Sequence, residues 1–184
     1  MDTFTHIIVT APSPALAAVY QSQLDVVQNE FPFLRNCVIS CVADPSGVRI
    51  GSGGGTLNAL HYLSEVIGRA ALLKAKVAII HSGGDSRRAP LHSVCGKAWA
   101  SLNAVQNDSL LATPLTILIE ELSKFCYSIL HNSSPVGSIT VASSDVLLDI
   151  CRSGKSVART EAQSKIRCLH NSFKSVFEFI KRLK

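Results

Sequence analysis

Four short, continuously apolar runs constrain this chain most. Residues 6–10 (HIIVT), 37–42 (CVISCV), 76–81 (KVAIIH) and 136–142 (VGSITVA) are rich in β-branched side chains and lack a regular apolar–polar alternation. A strand wetted on one face alternates, whereas a strand covered on both faces reads as an apolar run. Helical patterns lie between these runs. Ser13-Pro14 combines an N-capping hydroxyl with a proline suited to the first helical position, ahead of a helix over residues 15–28. Leu16, Val19, Leu24 and Val27 recur there at near-helical spacing. Thr56 is expected to cap a second helix, through residue 71, with Leu57, Leu60, Leu63 and Ile67 on one face. Thr113-Pro114 opens a third, to about residue 131. Alternation of such strands with helices predicts an α/β fold: a mostly parallel sheet with helices on both faces. Ligands of these sheets bind outside the carboxyl ends of the strands.

Composition agrees with a folded core. With 184 residues, 47% hydrophobic and 17% charged, the chain is too apolar for intrinsic disorder and long enough for one domain. No uncharged run reaches the ~18 residues of a membrane span. The best candidate, residues 110–130, holds Glu120, Glu121 and Lys124. The N-terminus lacks a secretory pattern, since Asp2 and His6 stand where a basic region would, and Pro12 and Pro14 interrupt the apolar run. Six cysteines (37, 41, 95, 126, 151, 168) form no CxxC pair, which fits a reducing compartment. Cys37 and Cys41 read as small core residues rather than as a metal or redox pair. The expectation is a cytoplasmic protein without a transmembrane segment.

The net charge of +5 suggests a polyanion partner until it is divided by position. Residues 1–151 carry nine Lys/Arg against eleven Asp/Glu, and residues 152–184 carry nine against two. The basic character therefore belongs to the tail, no nucleic-acid partner is expected, and a domain boundary is placed between 151 and 152. Residues 160–184 read as one basic amphipathic helix. Ile166, Leu169, Phe173, Val176, Phe177, Ile180 and Leu183 lie at helical spacing, opposite Lys165, Arg167, Lys174, Lys181 and Arg182. It could dock on the sheet domain or meet an acidic membrane or partner.

Three features fall at strand ends. Residues 44–55 read as a loop containing Gly51, Gly53, Gly54 and Gly55, running into Thr56. Glycines let backbone N–H groups approach an anion, and a following helix adds unpaired donors at its N-terminus. This is a candidate phosphate cradle, although neither a Walker A loop nor a GxGxxG fingerprint. Residues 82–97 carry Gly83, Gly84, Ser86, Arg87 and Arg88, then Lys97. An arginine can clamp phosphate oxygens bidentately. Asp145 follows the fourth run, placed either to hold Mg²⁺ against phosphates or to cap a helix.

Other patterns carry less. Gly154-Lys155-Ser156 lacks the glycine a P-loop requires, because position 149 is Asp. The six histidines show no metal spacing, and His81, just before Ser82-Gly83-Gly84, is the one expected to face the site. No nucleophile elbow is present.

Three segments resemble the L-fucokinase / GDP-fucose pyrophosphorylase family. They are residues 44–60 with Gly51-Ser52-Gly53-Gly54-Gly55-Thr56, residues 80–99 with His81-Ser82-Gly83-Gly84-Asp85-Ser86-Arg87-Arg88 and Gly96-Lys97, and residues 143–147 with Ser144-Asp145. They occur in the family's order over about residues 5–150. The resemblance implies a Rossmann-like nucleotidyltransferase-type domain in which a sugar 1-phosphate attacks the α-phosphate of a nucleoside triphosphate, with GTP or ATP as the nucleotide. It implies that Gly83, Gly84, Ser86 and Arg87 hold the nucleotide phosphates. It further implies that Arg87 and Lys97 serve the transition state and that Asp145 binds Mg²⁺. Ser144 stands where the nucleotidyltransferase pattern usually has glycine. Family members are longer, with a β-helical region and in fucokinases a kinase domain, and residues 152–184 are not expected to follow the family sequence.

Two readings follow. In the first, the chain is a partial enzyme domain of fucose salvage, transferring a nucleotidyl group from GTP to fucose 1-phosphate. In the second, it is a non-catalytic remnant that keeps the fold as a binding or interaction module. The sequence does not give the oligomeric state.

Overall fold

The computed structural model describes residues 4–82, 96–102, 105–106, 110–130 and 137–144, all within the first of the two units into which the chain divides, Met1–Asp149. Four strands form one parallel sheet: β1 (His6–Ala11), β2 (Val38–Ala43), β3 (Lys76–His81) and β6 (Ser138–Ser143), in the order β2-β1-β3-β6. Each of the four apolar runs supplies one of them. Two short strands, β4 (Val105–Gln106) and β5 (Leu110–Leu111), pair antiparallel in a separate ribbon that the sequence reading did not anticipate.

Register explains the burial. His6 to Ala11 pair in step with Val38 to Ala43 on one side, and His6 to Thr10 with Val77 to His81 on the other. Ile8, Val9, Val77, Ile79 and Ile80 are wholly buried, so both faces of the central strands are covered. One face is covered by α1 (Pro14–Glu30) and α4 (Pro114–Leu130), whose Tyr20, Leu24, Val27, Leu115, Leu118 and Ile119 join Ile7, Val9, Ala78 and Ile80 in one cluster. Burying each large aliphatic side chain contributes about 1.5–3 kcal/mol. The strand residues of opposite parity, Thr10 and His81, meet α2 (Gly51–Ile67) instead.

Local sequence sets the helix ends. Ser13 caps α1 as expected: its Oγ accepts from the backbone N–H of Leu16 at 3.3 Å, and Pro14 opens the helix. Gln21, projecting from α1, accepts at Oε1 from the N–H of Cys41 (2.8 Å) and donates from Nε2 to the carbonyl of Ile39 (3.2 Å). One side chain thus satisfies backbone groups on β2, the edge strand, which would otherwise be open to pairing.

The second helix corrects the sequence reading. It begins at Gly51 rather than after Thr56, so the four glycines form its first turns instead of a loop. Gly51 has φ +69°, a left-handed value that glycine takes without strain, and Ile50 stands at the N-cap with no side-chain cap. Thr56 is not a cap: its hydroxyl donates back to the carbonyl of Ser52 at 3.0 Å. The helix ends at Ile67, because Gly68 adopts φ +79°, and Arg69–Leu72 forms a separate short helix α3. Among the described residues no helix is long and apolar enough to cross a membrane. Residues 152–184, including the expected amphipathic helix, lie outside the described residues.

Candidate functional site

The chain passes from β1 to β2 on one side, then crosses back to place β3 on the other side of β1. The direction of winding reverses between β1 and β3. Their carboxyl ends therefore flank the point where α/β sheets leave a ligand crevice. A cleft of about 310 Å³ opens there, lined by Thr10 and Ala11 at the end of β1 and Pro12 after it, Asp44 after β2, His81 and Ser82 at the end of β3, Ser143 of β6, Arg49 just before α2, and Gly51, Ser52 and Gly55 in its first turns. That volume is at the lower end of small-molecule sites.

Hydrogen bonds knit this edge together. Ser82 Oγ donates to the carbonyl of Thr10, and the N–H of Ser144 donates to the carbonyl of His81 at 2.9 Å. Asn58 Nδ2 donates to the carbonyl of Ala43 at 2.9 Å, fastening α2 to the end of β2. The His81 ring joins two elements: Nδ1 is 3.2 Å from Thr10 Oγ1 and Nε2 is 3.0 Å from Thr56 Oγ1. Burial pushes the His81 pKa below its ordinary value, with the negative charge of Asp44 acting in the opposite direction. The ring is thus biased toward its neutral form.

The expected site residues are distributed as follows. Gly51 and Gly55 line the cleft, and His81 does so as anticipated. Gly53 faces open space, while Gly54 lies against the Ile50 side chain, 2.7 Å from where its Cβ would stand. Thr56 reaches the site through His81. Lys97 opens a single 3₁₀ turn, Lys97–Trp99, and is not among the cleft-lining residues. The next residues of that turn pack on the opposite layer: Trp99 stacks at a tilt on Tyr20, centroids 5.8 Å apart. Gly83, Gly84, Ser86, Arg87 and Asp145 lie outside the described residues, although the segment holding the first four leaves directly from Ser82. Asp44 and Arg49 belong to the loop that the sequence marks but carry no individual role there, and Thr10 is not marked at all. The available signal was the place of Thr10 near the end of β1 and of Asp44 directly after β2.

Among the described residues no cysteine lines the cleft. Burial pushes the Cys41 thiol up to about 12 and raises that of Cys126, so neither forms a thiolate near neutrality. Among the described residues no group of three or more His, Cys, Asp or Glu side chains could hold a metal ion.

Fold and cleft together define an α/β protein with a cleft at the carboxyl edge of a four-stranded parallel sheet. Residues 69–168 match the family described as the fucose pyrophosphorylase domain. This chain belongs to that family. It is 29% identical over 166 residues to the bifunctional fucokinase/GDP-fucose pyrophosphorylase of Arabidopsis thaliana, an alignment covering 80% of this chain and 16% of that protein. It is 44% and 42% identical over 59 residues to the fucose-1-phosphate guanylyltransferases of Mus musculus and Homo sapiens, covering 32% of this chain and 10% of each relative. The chain thus spans at most about a sixth of the length of these relatives. No solved structure matches it. The family match runs through residue 168, which corrects the expectation that everything beyond 151 departs from family sequence.

Proposed function

We propose that this chain carries the nucleotide-binding part of a Rossmann-like fucose-1-phosphate guanylyltransferase. The supporting observation is an overlap. The family match contains β3, β6 and the whole segment 82–97, and that segment leaves from the wall of the switch-point cleft. The reaction is an attack by a phosphate oxygen of fucose 1-phosphate on the α-phosphorus of GTP. The bond to the bridging oxygen breaks, and pyrophosphate leaves with its electron pair. Such a transfer needs positioning and charge neutralisation more than covalent help from the protein.

In this reading Gly83, Gly84, Ser86 and Arg87 hold the triphosphate, and the first turns of α2, Gly51 to Thr56, face it across the cleft. Arg87 and Lys97 neutralise charge that builds up during transfer. Mg²⁺ takes one or two carboxylates and lets phosphate oxygens complete its shell, so Asp145 together with a triphosphate is a fitting donor set. Bound there, the ion would supply charge neutralisation and orientation of the phosphates. Among the described residues Cys37, Cys41 and Cys126 are in no disulfide, which supports a cytoplasmic setting.

Calorimetric titration of Mg²⁺·GTP and Mg²⁺·ATP into the wild type and Arg87→Ala tests the reading. Loss of a charge-assisted phosphate contact should cost about 1.5–3 kcal/mol. Equal affinity in both proteins would remove residues 82–88 from the site. The position of Lys97 off the cleft wall favours a second reading, in which the chain binds nucleotide without turning it over. Absence of pyrophosphate release from a chain that binds GTP supports that second reading.

A further inference from the structure

The His81 ring at the cleft hydrogen-bonds both to a strand end, at Thr10, and to the opening turns of a helix, at Thr56. Hydroxyl inventory favours one tautomer. Thr56 Oγ1 has a single hydrogen and directs it to the Ser52 carbonyl at 3.0 Å. With its hydrogen spent there, it accepts from His81, which puts the ring proton on Nε2. Nδ1 is then the acceptor, and Thr10 Oγ1 donates to it. A neutral imidazole with its proton on Nε2 thus ties β1, through Thr10, to α2, through Thr56.

The surroundings are shaped for this ring. Gly55 leaves room for it, since a Cβ there would stand 3.3 Å from Cε1 and 3.8 Å from Thr10 Cγ2. The next residue, Ser82, is held by the Thr10 carbonyl. Beyond it the glycine-containing segment begins. The uncapped start of α2, with Gly51 and Ser52 on the cleft wall, has no side-chain cap to fix its direction. The link from Thr56 to His81 fastens it to the strand from which the segment departs.

We propose that His81 is a positioning residue: through Nε2 and Thr56 it holds the first turns of α2 at the distance from the end of β3 that a bound triphosphate requires. This inference rests on the nucleotide reading of the cleft. It assigns the role to one nitrogen, and two substitutions separate the nitrogens. Asparagine places its amide near the site of Nδ1 and keeps only the Thr10 contact. Glutamine reaches the site of Nε2 and keeps only the Thr56 contact.

The experiment is titration of Mg²⁺·GTP into the 184-residue wild type, His81→Asn, His81→Gln, Thr56→Val and the His81→Asn/Thr56→Val double variant, with melting temperatures measured alongside. The expected result is about tenfold weaker binding for His81→Asn and Thr56→Val, equal weakening rather than a hundredfold loss in the double variant, and near wild-type binding for His81→Gln. Equal weakening by Asn and Gln, each of which removes one hydrogen bond, would reduce His81 to a structural role and overturn the inference. So would unchanged binding in every variant, with the nucleotide reading left standing. A wild type that binds no nucleotide overturns that reading and this inference with it.

Discussion

Gly55 faces His81 at a distance that only hydrogen fits comfortably: a Cβ on the glycine would lie 3.3 Å from Cε1 of the ring. Gly53, two residues earlier in the same helix, has nothing within 4 Å of its Cβ position. The same substitution should therefore act oppositely at the two sites. Alanine gains roughly 0.5–1 kcal/mol over glycine inside a helix by restricting the unfolded chain. Gly53→Ala should raise the melting temperature by about 1–4 °C, the scale of such a gain in a chain of this size. Gly55→Ala should lose that gain by displacing a ring held at both nitrogens. Thermal denaturation of the two variants checks this, and equal stabilisation by both would show that the ring yields freely.

The pH dependence of stability has a definite sign. The folded protein binds a proton at His81 less tightly than the unfolded chain, whose histidine titrates near the ordinary 6.5. Below that value, down to the lower folded pKa, unfolding takes up a proton. The contribution of His81 is fully present above 6.5 and is lost as the pH falls through this window. Burial lowers the pKa of His6 as well, which adds in the same direction. The unfolding midpoint should fall between pH 7 and pH 5, and by less in His81→Gln. A pH response identical in wild type and variant would assign it to other groups.

Much of this architecture is legible from side-chain pattern alone. Strands covered on both faces need apolar residues at every position, so Ile7 to Val9 and Val77 to Ile80 could be read directly and are buried. Ser13-Pro14 is equally local, since cap and first-turn proline act within one turn. The start of α2 was misread because helix propensity argues against consecutive glycines. What overrides propensity there is tertiary: Asn58 on Ala43, Thr56 on His81, and space for the ring at Gly55. The ribbon of β4 and β5 has two residues per strand, too few for any periodicity. Of the cleft, His81 and Gly51 were visible as strand-end and loop residues. Thr10 was not, because its importance depends on which strand ends the topology makes neighbours.

Gly137 admits no side chain. A Cβ there would stand 2.5 Å from the carbonyl oxygen of Leu73 and 2.7 Å from that of Ala75, both backbone atoms. The Gly137 N–H donates to the same Leu73 carbonyl at 3.1 Å, so the approach is part of how β6 enters the sheet beside β3. Neither carbonyl can rotate away as a flexible side chain would. Gly137→Ala should destabilise the protein by about 1–3 kcal/mol, the range for forcing atoms into a packed site. Denaturant titration provides the measurement, and a shift of under about 0.5 kcal/mol would mean that this connection relaxes without cost.

Ser144 presents the opposite case, a side chain the fold has not satisfied. It is wholly buried, its backbone N–H is used by the His81 carbonyl, and among the described residues its hydroxyl has no hydrogen-bond partner. A buried hydroxyl left unpaired costs about 1–3 kcal/mol. Ser144→Ala removes the oxygen, retains Cβ, and leaves the backbone bond to His81 in place. The variant should therefore be more stable than the wild type, by about 1 kcal/mol. Asp145 is the next residue, so the same variant also probes the proposed Mg²⁺ position. If the hydroxyl is only an unsatisfied group, Ser144→Ala should bind Mg²⁺·GTP as the wild type does while Asp145→Asn loses the Mg²⁺ dependence. A Ser144→Ala variant that gains stability and also loses Mg²⁺-dependent binding would show that the hydroxyl is kept for the bound state, where it acquires the partner it lacks in the free protein. A variant that is less stable would show that the hydroxyl is already satisfied, and the argument from its burial would fail.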